Sequence, residues 1–299
     1  MKAGTVDGGS LPLAVRVNDL VEMTKPGITL MVVLTAGLGF LLARHGAVDF
    51  WLLVATLAGT ALVSAGASVL NQVVEREVDG RMRRTADRPL PAGRLDPDVA
   101  LLFGVALGVA GLLLLAFAVN LLTAFLGVLA LAGYVFVYTP LKRVSSLSTV
   151  VGAIPGAIPP MMGWCAVRNE VDLPAWALFG ILFFWQMPHF LAIAWLCRED
   201  YASGGMPMLP VIDPGGVWTG RQSILYGAAL VPVSLLPSLL GLTGAVYFAG
   251  ALFLGLVYLA FCVAFARQRT RETARRLMLM SLLYLPLVLV VMLLDRAGS

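Results

Sequence analysis

The sequence predicts an all-α polytopic membrane protein, and its composition and its apolar segments support this fold class. Of 299 residues, 59% are hydrophobic and only 13% are charged, whereas soluble domains have about 25% charged residues. The apolar segments are long enough to cross a bilayer of about 30 Å as helices. None of them contains Asp, Glu, Lys or Arg. We therefore predict a bundle of nine transmembrane helices, at residues 28–43, 50–70, 99–118, 121–138, 149–166, 174–197, 222–241, 243–266 and 277–294.

The distribution of Lys and Arg predicts the orientation of these helices. Nine spans place the N-terminus on the same side as the loops after the second, fourth, sixth and eighth helices. That side carries 18 basic residues, and the opposite side carries only three, Arg44, Arg168 and Arg296. Because basic loops remain cytoplasmic, we expect the N-terminus and the active-site loops to face the cytoplasm of a bacterial cell, with the C-terminus across the inner membrane. The net charge of +4 then reflects contact with anionic lipid rather than with nucleic acid.

The chain has no polar linker between two bundles, so we expect residues 1–299 to form a single integral-membrane domain. Residues 1–24 form a cytoplasmic N-terminal segment without the apolar core of a cleavable signal peptide. Within it begins a short amphipathic helix predicted at residues 17–27. In the fifth span, residues 152–160 (GAIPGAIPP) contain three prolines and two glycines. Such a segment is predicted to be kinked or partly unwound.

The most polar interruption of the apolar chain is Asn71–Arg94, which combines acidic residues with six arginines. Asn71, Glu75 and Asp79 follow one another at intervals of four, so on an α-helix they form one oxygen-bearing stripe. Mg²⁺ prefers such ligands, usually one or two carboxylates with substrate phosphates, and arginine side chains bind phosphate oxygens. The pattern predicts a site for a diphosphate on an apolar tail. Taken alone, the stripe also fits a solvated helix end at headgroup level.

A second acidic cluster, Glu199 and Asp200, follows the sixth span, four spans after the first cluster. Repeated helical units often form a site where the repeats meet. We therefore expect the two clusters to face each other across one cavity.

The order and spacing of five motifs resemble the UbiA superfamily of intramembrane prenyltransferases, and within it the branch that farnesylates heme. The resemblance covers about residues 24 to 210. The motifs are NQVVEREVDGRMRRTADRPLP from Asn71, YTPLKR from Tyr138, GAIPGAIPPMMGW from Gly152, WQMPHF from Trp185 and DYASGGMPMLP from Asp200.

This resemblance implies an enzyme that transfers the farnesyl group of farnesyl diphosphate to the vinyl group of heme B, with addition of water, giving heme O and diphosphate. It implies Mg²⁺ as the cofactor. The implied metal ligands and catalytic residues are Asn71, Glu75, Asp79 and Asp200. The implied diphosphate-binding residues are Arg84, Arg88, Lys142 and Arg143. The implied heme contacts are His189, Trp185 and Gln186. Membrane lipid, heme A synthase and terminal-oxidase assembly factors are the further candidate partners.

The sequence departs from the superfamily pattern at three positions. The first motif usually reads Asn-Asp-x-x-Asp-x-x-x-Asp, but here Gln72 stands at the second position and Glu75 replaces an aspartate. The second motif often has two aspartates four residues apart, and here Leu196 occupies the earlier position. The number of Mg²⁺ ions is therefore left open.

His189 is the only histidine in a predicted span. A hydrogen-bonded packing residue, an axial ligand of the heme iron, and a contact to a heme propionate or the diphosphate are all compatible with this position.

Two other functions are compatible with the same overall pattern. One is a prenyltransferase of the same superfamily that acts on a quinone precursor or a chlorophyll-like acceptor. The other is a transporter, although transport pathways usually place ionisable groups at membrane depth, where this sequence has none.

Overall fold

A computed structural model describes residues 13–44 and 46–296, with side chains described from residue 17 onward except at residue 45. This part of the chain forms twelve helices. Nine of them are long and apolar enough to cross a membrane, which confirms the all-α polytopic membrane fold. The spanning helices are α2 (Pro26–Ala43), α3 (Phe50–Asp79), α4 (Pro97–Ala118), α5 (Leu121–Leu141), α6 (Ser148–Arg168), α7 (Leu173–Leu196), α10 (Val217–Leu239), α11 (Ala245–Gln268) and α12 (Arg271–Leu294). The shorter helices are α1 (Leu13–Met23), α8 (Arg198–Ser203) and α9 (Leu209–Ile212).

The spans pack mainly with their neighbours in sequence and enclose the most buried helix, α6. Helix α3 packs along α4, and α6 packs on α2, α5 and α7. Helix α7 also contacts α10 and α12, while α11 lies between α10 and α12. Helices α2 and α12 touch only weakly.

Two glycines allow α2 and α6 to approach closely. A Cβ at Gly163 would lie 1.7 Å from the carbonyl oxygen of Ala36, and a Cβ at Gly39 would lie 2.0 Å from that of Pro160. Small residues at such crossings let helix backbones pack directly in a membrane. Helix α2, which leads out of the N-terminal segment, is therefore fixed to the centre of the bundle.

Helix α3 is longer than predicted and carries the first polar cluster on its last turns. It begins at Phe50, with the Asp49 carboxylate accepting a hydrogen bond from the Leu52 amide. It ends at Asp79 rather than at residue 70, because no Gly or Pro occurs between Gly66 and Gly80. Thirty residues extend about 45 Å, which exceeds a hydrocarbon core of about 30 Å. The last turns therefore extend beyond the apolar layer.

Residues 152–160 were predicted to be kinked or partly unwound, and the unwinding is not seen. Helix α6 is continuous from Ser148 to Arg168 although it contains Pro155, Pro159 and Pro160. Prolines remove backbone hydrogen bonds, but 72% of the residues in the apolar window of this span are buried by neighbouring helices, which hold it in place. The irregular backbone lies instead in α5, where residues Gly133–Tyr138 form a π-helical turn. Such turns occur frequently at functional sites.

The short helix predicted near residues 17–27 is present as α1, which ends at Met23. The part of the N-terminal segment before Leu13 lies outside the described residues. Helix α12 begins at Arg271 rather than at residue 277, so its first turn carries charged residues that the sequence-based bounds had left in the loop.

Candidate active site

A cavity of about 400 Å³ lies where α3 ends and the arginine-rich loop, residues 80–96 between α3 and α4, begins. It contains seven charged side chains, four basic and three acidic, and two tyrosines. It is lined by Glu22, Lys25, Ile28, Asn71, Gln72, Glu75, Asp79, Met82, Arg84, Arg88, Tyr134, Lys142, Tyr201 and Met206. These residues come from α1, the start of α2, the end of α3, the loop after it, α5 and the segment after α7, so the cavity is where these elements meet.

The predicted stripe Asn71, Glu75 and Asp79 lies along one wall of this cavity. All three residues are at most 3% exposed. Each carboxylate has a basic partner. The ammonium group of Lys142 donates to both oxygens of Glu75, at 2.8 and 3.0 Å, and Arg88 Nη1 lies 2.6 Å from Asp79 Oδ2. Buried carboxylates require such partners, so the two bridges hold both the acids and the bases at the site.

The amide of Asn71 is oriented by the π-helical turn. Asn71 Nδ2 donates to the hydroxyl of Thr139 at 3.0 Å, and that hydroxyl donates to the carbonyl oxygen of Tyr134 at 2.8 Å. Because the amide nitrogen is engaged there, Asn71 Oδ1 is the atom left for other partners, and Lys25 Nζ lies 3.3 Å from it. The amide therefore presents an oxygen rather than a nitrogen to a cation.

Two lysines of the cavity have shifted pKa values. Burial, together with the charges of Arg88 and Lys142, lowers the pKa of Lys25 to about 7. Burial alone would also lower the pKa of Lys142, but attraction to Glu75 and to other neighbouring groups outweighs it and raises this pKa above its usual value. Lys142 therefore stays charged beside its carboxylate, whereas Lys25, buried near other positive groups, gives up its proton more readily than an ordinary lysine.

The arginines of the loop reach the cavity from its outer side. Arg84 lies over the ring of Tyr201, 5.9 Å from its centroid. The backbone of the loop is fixed by Thr85, whose hydroxyl donates to the Asp79 carbonyl at 2.8 Å. Both arginines predicted from this loop, Arg84 and Arg88, therefore line the same cavity as the oxygen stripe.

The donor set fits Mg²⁺. One amide oxygen and two carboxylates project from successive turns of α3, and such hard oxygen ligands are typical of Mg²⁺ sites. The described residues contain no cluster of three or more acidic, His or Cys side chains placed for a metal. Mg²⁺ sites usually combine one or two protein carboxylates with substrate phosphate oxygens and waters.

The sequence pattern of the UbiA prenyltransferase family matches residues 32–285. The chain belongs to the UbiA prenyltransferase family.

Several named members of the family are similar to this chain over nearly its whole length. A protoheme IX farnesyltransferase of Solibacter usitatus is 48% identical over 289 residues, which is 94% of this chain and 99% of that protein. A protein of the same name from Koribacter versatilis is 42% identical, covering 93% of each chain.

Solved structures of the family show the same fold. A digeranylgeranylglyceryl phosphate synthase superposes with a TM-score of 0.77 at 17% identity, covering 94% of this chain and 98% of that one. A UbiA homologue from Archaeoglobus fulgidus bound to GPP and Mg²⁺ superposes with a TM-score of 0.66 at 17% identity, covering 92% and 99%.

Two residues expected at the UbiA site do not line the cavity. Arg143 is exposed, and its guanidinium donates to the Val74 carbonyl on the outer face of α3 at 2.7 Å. Asp200 is half-buried in α8, and it is its neighbour Tyr201 that lines the cavity. The expected meeting of two acidic clusters across one cavity is therefore not seen, because the six-residue helix α8 presents the tyrosine there.

The three residues expected to contact heme lie within α7, away from this cavity. His189 Nδ1 is 2.6 Å from the Ser281 hydroxyl, and Trp185 Nε1 donates to the Ser281 carbonyl at 2.8 Å. The His189 and Trp185 rings stack, with centroids 5.4 Å apart. Gln186 instead donates to the Ala153 carbonyl of α6 at 2.8 Å. These residues thus join α7 to α12 and α6.

Sequence reasoning missed several residues that line the cavity, above all Lys25. Lys25 lies between α1 and α2 with a left-handed backbone (φ 49°), directly before the Pro26 that begins the first span. A lysine at the end of a span was interpreted only as part of an amphipathic helix. Its position directly before Pro-Gly, where the first UbiA span begins, is the signal that could have placed it at the mouth of the bundle. Glu22 and Tyr134 gave no comparable signal.

Proposed function

We propose that this chain transfers the farnesyl group of farnesyl diphosphate to the vinyl group of heme B, with addition of water, and releases diphosphate. The observation that carries the proposal is the burial of the Asn71, Glu75 and Asp79 stripe in one cavity with four basic side chains. The names of the similar relatives supply the acceptor, heme B.

The cavity suits a diphosphate because its charges can exchange partners. Lys142 and Arg88 neutralise the two carboxylates of the stripe, and Lys25 and Arg84 lie in the same cavity. When Mg²⁺ is bound, it would neutralise the charge that grows on the leaving diphosphate. Asn71, Glu75 and Asp79 would hold it. The four basic side chains would then bind the phosphate oxygens, and such charge-assisted hydrogen bonds are strongest in a site that excludes water.

The reaction breaks the bond between C1 of the farnesyl group and the diphosphate oxygen. The electron-rich vinyl group attacks the resulting allylic cation and forms a carbon–carbon bond. Water adds to the new cation and loses a proton, which leaves a hydroxyethylfarnesyl substituent. The protein must exclude water from the allylic farnesyl cation, and the apolar helices beyond the stripe provide a water-poor environment for it.

His189 is proposed as the ligand of the heme iron through Nε2. The Ser281 hydroxyl donates to the Met278 carbonyl at 2.5 Å, so it can only accept from the imidazole. The proton of the ring therefore lies on Nδ1, and Nε2 keeps its lone pair. The stacked Trp185 holds the ring in this orientation. Gln186 is proposed to contribute by fixing α7 against α6.

The proposal also includes a second metal ligand and the orientation of the site in the membrane. Asp200 is retained as a candidate ligand of a second Mg²⁺ because it adjoins Tyr201, which lines the cavity. The cytoplasmic orientation of the site, in the inner membrane of a bacterial cell, is inferred from the excess of Lys and Arg on its side of the bundle.

The test is an assay of the purified protein in lipid nanodiscs with farnesyl diphosphate, heme B and Mg²⁺. The proposal predicts release of diphosphate and a heme product whose mass has increased by one farnesyl group and one hydroxyl group. Prenylation of 4-hydroxybenzoate with no reaction of heme B would show that the acceptor is wrong. Absence of any diphosphate release would show that the chain is not a prenyltransferase under these conditions.

A further inference from the structure

Helix α1 forms part of the wall of the diphosphate cavity, although it crosses no membrane. Glu22 lines the cavity from α1, and Lys25 lines it two residues after this helix ends. The position of Lys25, whose ammonium group lies 3.3 Å from Asn71 Oδ1, therefore depends on how α1 is held against the rest of the protein.

The C-terminal end of α1 is fixed to α3 by one apolar and one polar contact. Met23 is fully buried in a cluster with residues of α3, the arginine-rich loop and α4, namely Val69, Val73, Leu90, Leu95 and Ala100. The Gln72 amide donates to the Met23 carbonyl at 2.8 Å. The carbonyls at a helix C-terminus have no partner within the helix, so this bond satisfies one of them.

Gln72 stands where the superfamily pattern usually has an aspartate. A carboxylate has no donor and is shorter by one methylene, so it could not bond to the Met23 carbonyl. In this chain the position therefore contributes a bond that fixes α1 instead of a further carboxylate.

Arg94 connects α1 to the arginine-rich loop. Its guanidinium makes three contacts: Nε with Asp19 Oδ1 at 2.8 Å, Nη2 with Glu22 Oε2 at 3.0 Å, and Nη1 with the Asp87 carbonyl at 2.6 Å. Asp19 and Glu22 are three residues apart and so lie on one face of α1. Asp19 is buried, and its side-chain hydrogen bond raises the pKa of Arg94. One side chain thus joins two turns of α1 to the loop that carries Arg84 and Arg88.

We propose that Arg94 and Gln72 are positioning residues that lock α1 onto the site and thereby hold Lys25 at the diphosphate. This inference rests on the proposed function, because it takes the ligand of the cavity to be a prenyl diphosphate. Neither residue acts on the reacting atoms. Arg94 acts through α1, and Gln72 acts through the backbone of Met23.

The lock predicts a specific kinetic effect of Arg94→Gln. Without the guanidinium contacts, α1 is displaced from the site in some of the molecules. The apparent affinity for farnesyl diphosphate is then reduced in proportion to the fraction of molecules in which α1 is in place. We expect the KM for farnesyl diphosphate to rise about tenfold, with kcat and the KM for heme B within about twofold of wild type. Arg81→Gln is the matched control, since Arg81 is exposed and makes no side-chain hydrogen bond or ion pair within the described part of the chain.

A double-mutant cycle with Lys25→Ala shows whether the effect passes through Lys25. If it does, Arg94→Gln adds nothing to the KM of Lys25→Ala. Additive effects, or an Arg94→Gln variant that behaves like Arg81→Gln, would overturn the proposal. If Arg94→Gln is poorly folded, Arg94→Lys is used instead. Its KM for farnesyl diphosphate is expected to lie between those of wild type and Lys25→Ala. A KM equal to that of wild type would count against the lock.

Hydrogen exchange separates this inference from the proposed function. In Arg94→Gln the amides of residues 17–25 should exchange faster than in Arg81→Gln, while those of the spans are unchanged. This comparison needs no turnover. If wild type releases no diphosphate, the proposed function fails while exchange still tests the lock; if exchange is equal in the two variants, the lock fails even where turnover is observed.

Discussion

Replacing Lys142 with Met removes the only ion-pair partner of Glu75 among the described residues. The Glu75 side chain is 4% exposed and the Lys142 side chain 12% exposed. The variant retains most of the apolar stem of Lys142, so it changes charge more than packing. Because the Glu75 carboxylate is then left buried without its hydrogen bonds, we expect Lys142→Met to be less stable than wild type.

The magnitude follows from the geometry of the pair. Opposite charges separated by 2.8 Å attract by about 6 kcal/mol at an effective dielectric constant of about 20. The cost of desolvating both groups offsets much of this attraction. Removing one partner of a buried pair typically costs about 3–5 kcal/mol. The nearby ammonium group of Lys25 compensates in part, so we expect a loss of about 3 kcal/mol in the free energy of unfolding.

Removing both charges should restore stability without restoring function. The double variant Lys142→Met, Glu75→Gln leaves no uncompensated charge from this pair. Replacing a whole buried pair by neutral groups is often close to neutral in stability. We therefore expect the double variant to unfold within about 1 kcal/mol of wild type. It lacks the proposed metal ligand Glu75 and the proposed diphosphate-binding group Lys142, so it should be inactive.

The assay is unfolding of wild type, both single variants and the double variant in detergent micelles without divalent cations, followed by the same series with saturating Mg²⁺. Mg²⁺ should reduce the deficit of Lys142→Met, because it supplies the missing positive charge. The reasoning would be refuted if Lys142→Met were as stable as wild type. It would also be refuted if the double variant were less stable than either single variant.

Three further predictions follow from the described contacts. Gly163→Ala places a methyl group against the Ala36 carbonyl and should destabilise the α2–α6 crossing by about 3 kcal/mol or more, measured as a lower unfolding midpoint. Arg88→Gln should reduce kcat/KM for farnesyl diphosphate by at least about tenfold. Arg143 donates to a carbonyl on the outer face of α3, so Arg143→Gln should change kcat/KM by less than about threefold. Equal losses in the two variants would contradict the geometry. His189→Ala should abolish the spectroscopic signature of histidine-ligated heme while leaving the affinity for farnesyl diphosphate unchanged, and an unaltered heme spectrum would remove His189 from the site.

The fold was largely predictable because a bilayer constrains a chain more strongly than water does. Uncharged apolar segments of sufficient length can only be spanning helices, and all nine were placed correctly. Their bounds were less predictable, because a helix continues past the apolar layer until the backbone is interrupted. The 30 residues of α3 end only before Gly80. The prolines of α6 gave the wrong local structure, since the packing that keeps this helix regular comes from helices remote in sequence.

The candidate site was partly predictable because some of its residues depend only on local sequence. The stripe from Asn71 to Asp79 depends only on helix periodicity, and the basic side chains Arg84, Arg88 and Lys142 were expected from the motifs. Lys25 was not expected, because its contact with Asn71 joins residues 46 positions apart. The position of Lys25 before Pro26 indicates where a span begins, but its contact with Asn71 depends on how α1 and α2 pack on α3.

The most direct test of the account compares wild type with Asp79→Ala in the nanodisc assay with farnesyl diphosphate, heme B and Mg²⁺. Asp79 is buried, lies on the stripe and is paired with Arg88. If the stripe holds Mg²⁺ at the diphosphate, wild type releases diphosphate only in the presence of Mg²⁺, and Asp79→Ala is slower by a factor of about 100 or more while still folded. Wild-type turnover in Asp79→Ala, or turnover that continues in the presence of a chelator, would contradict the account.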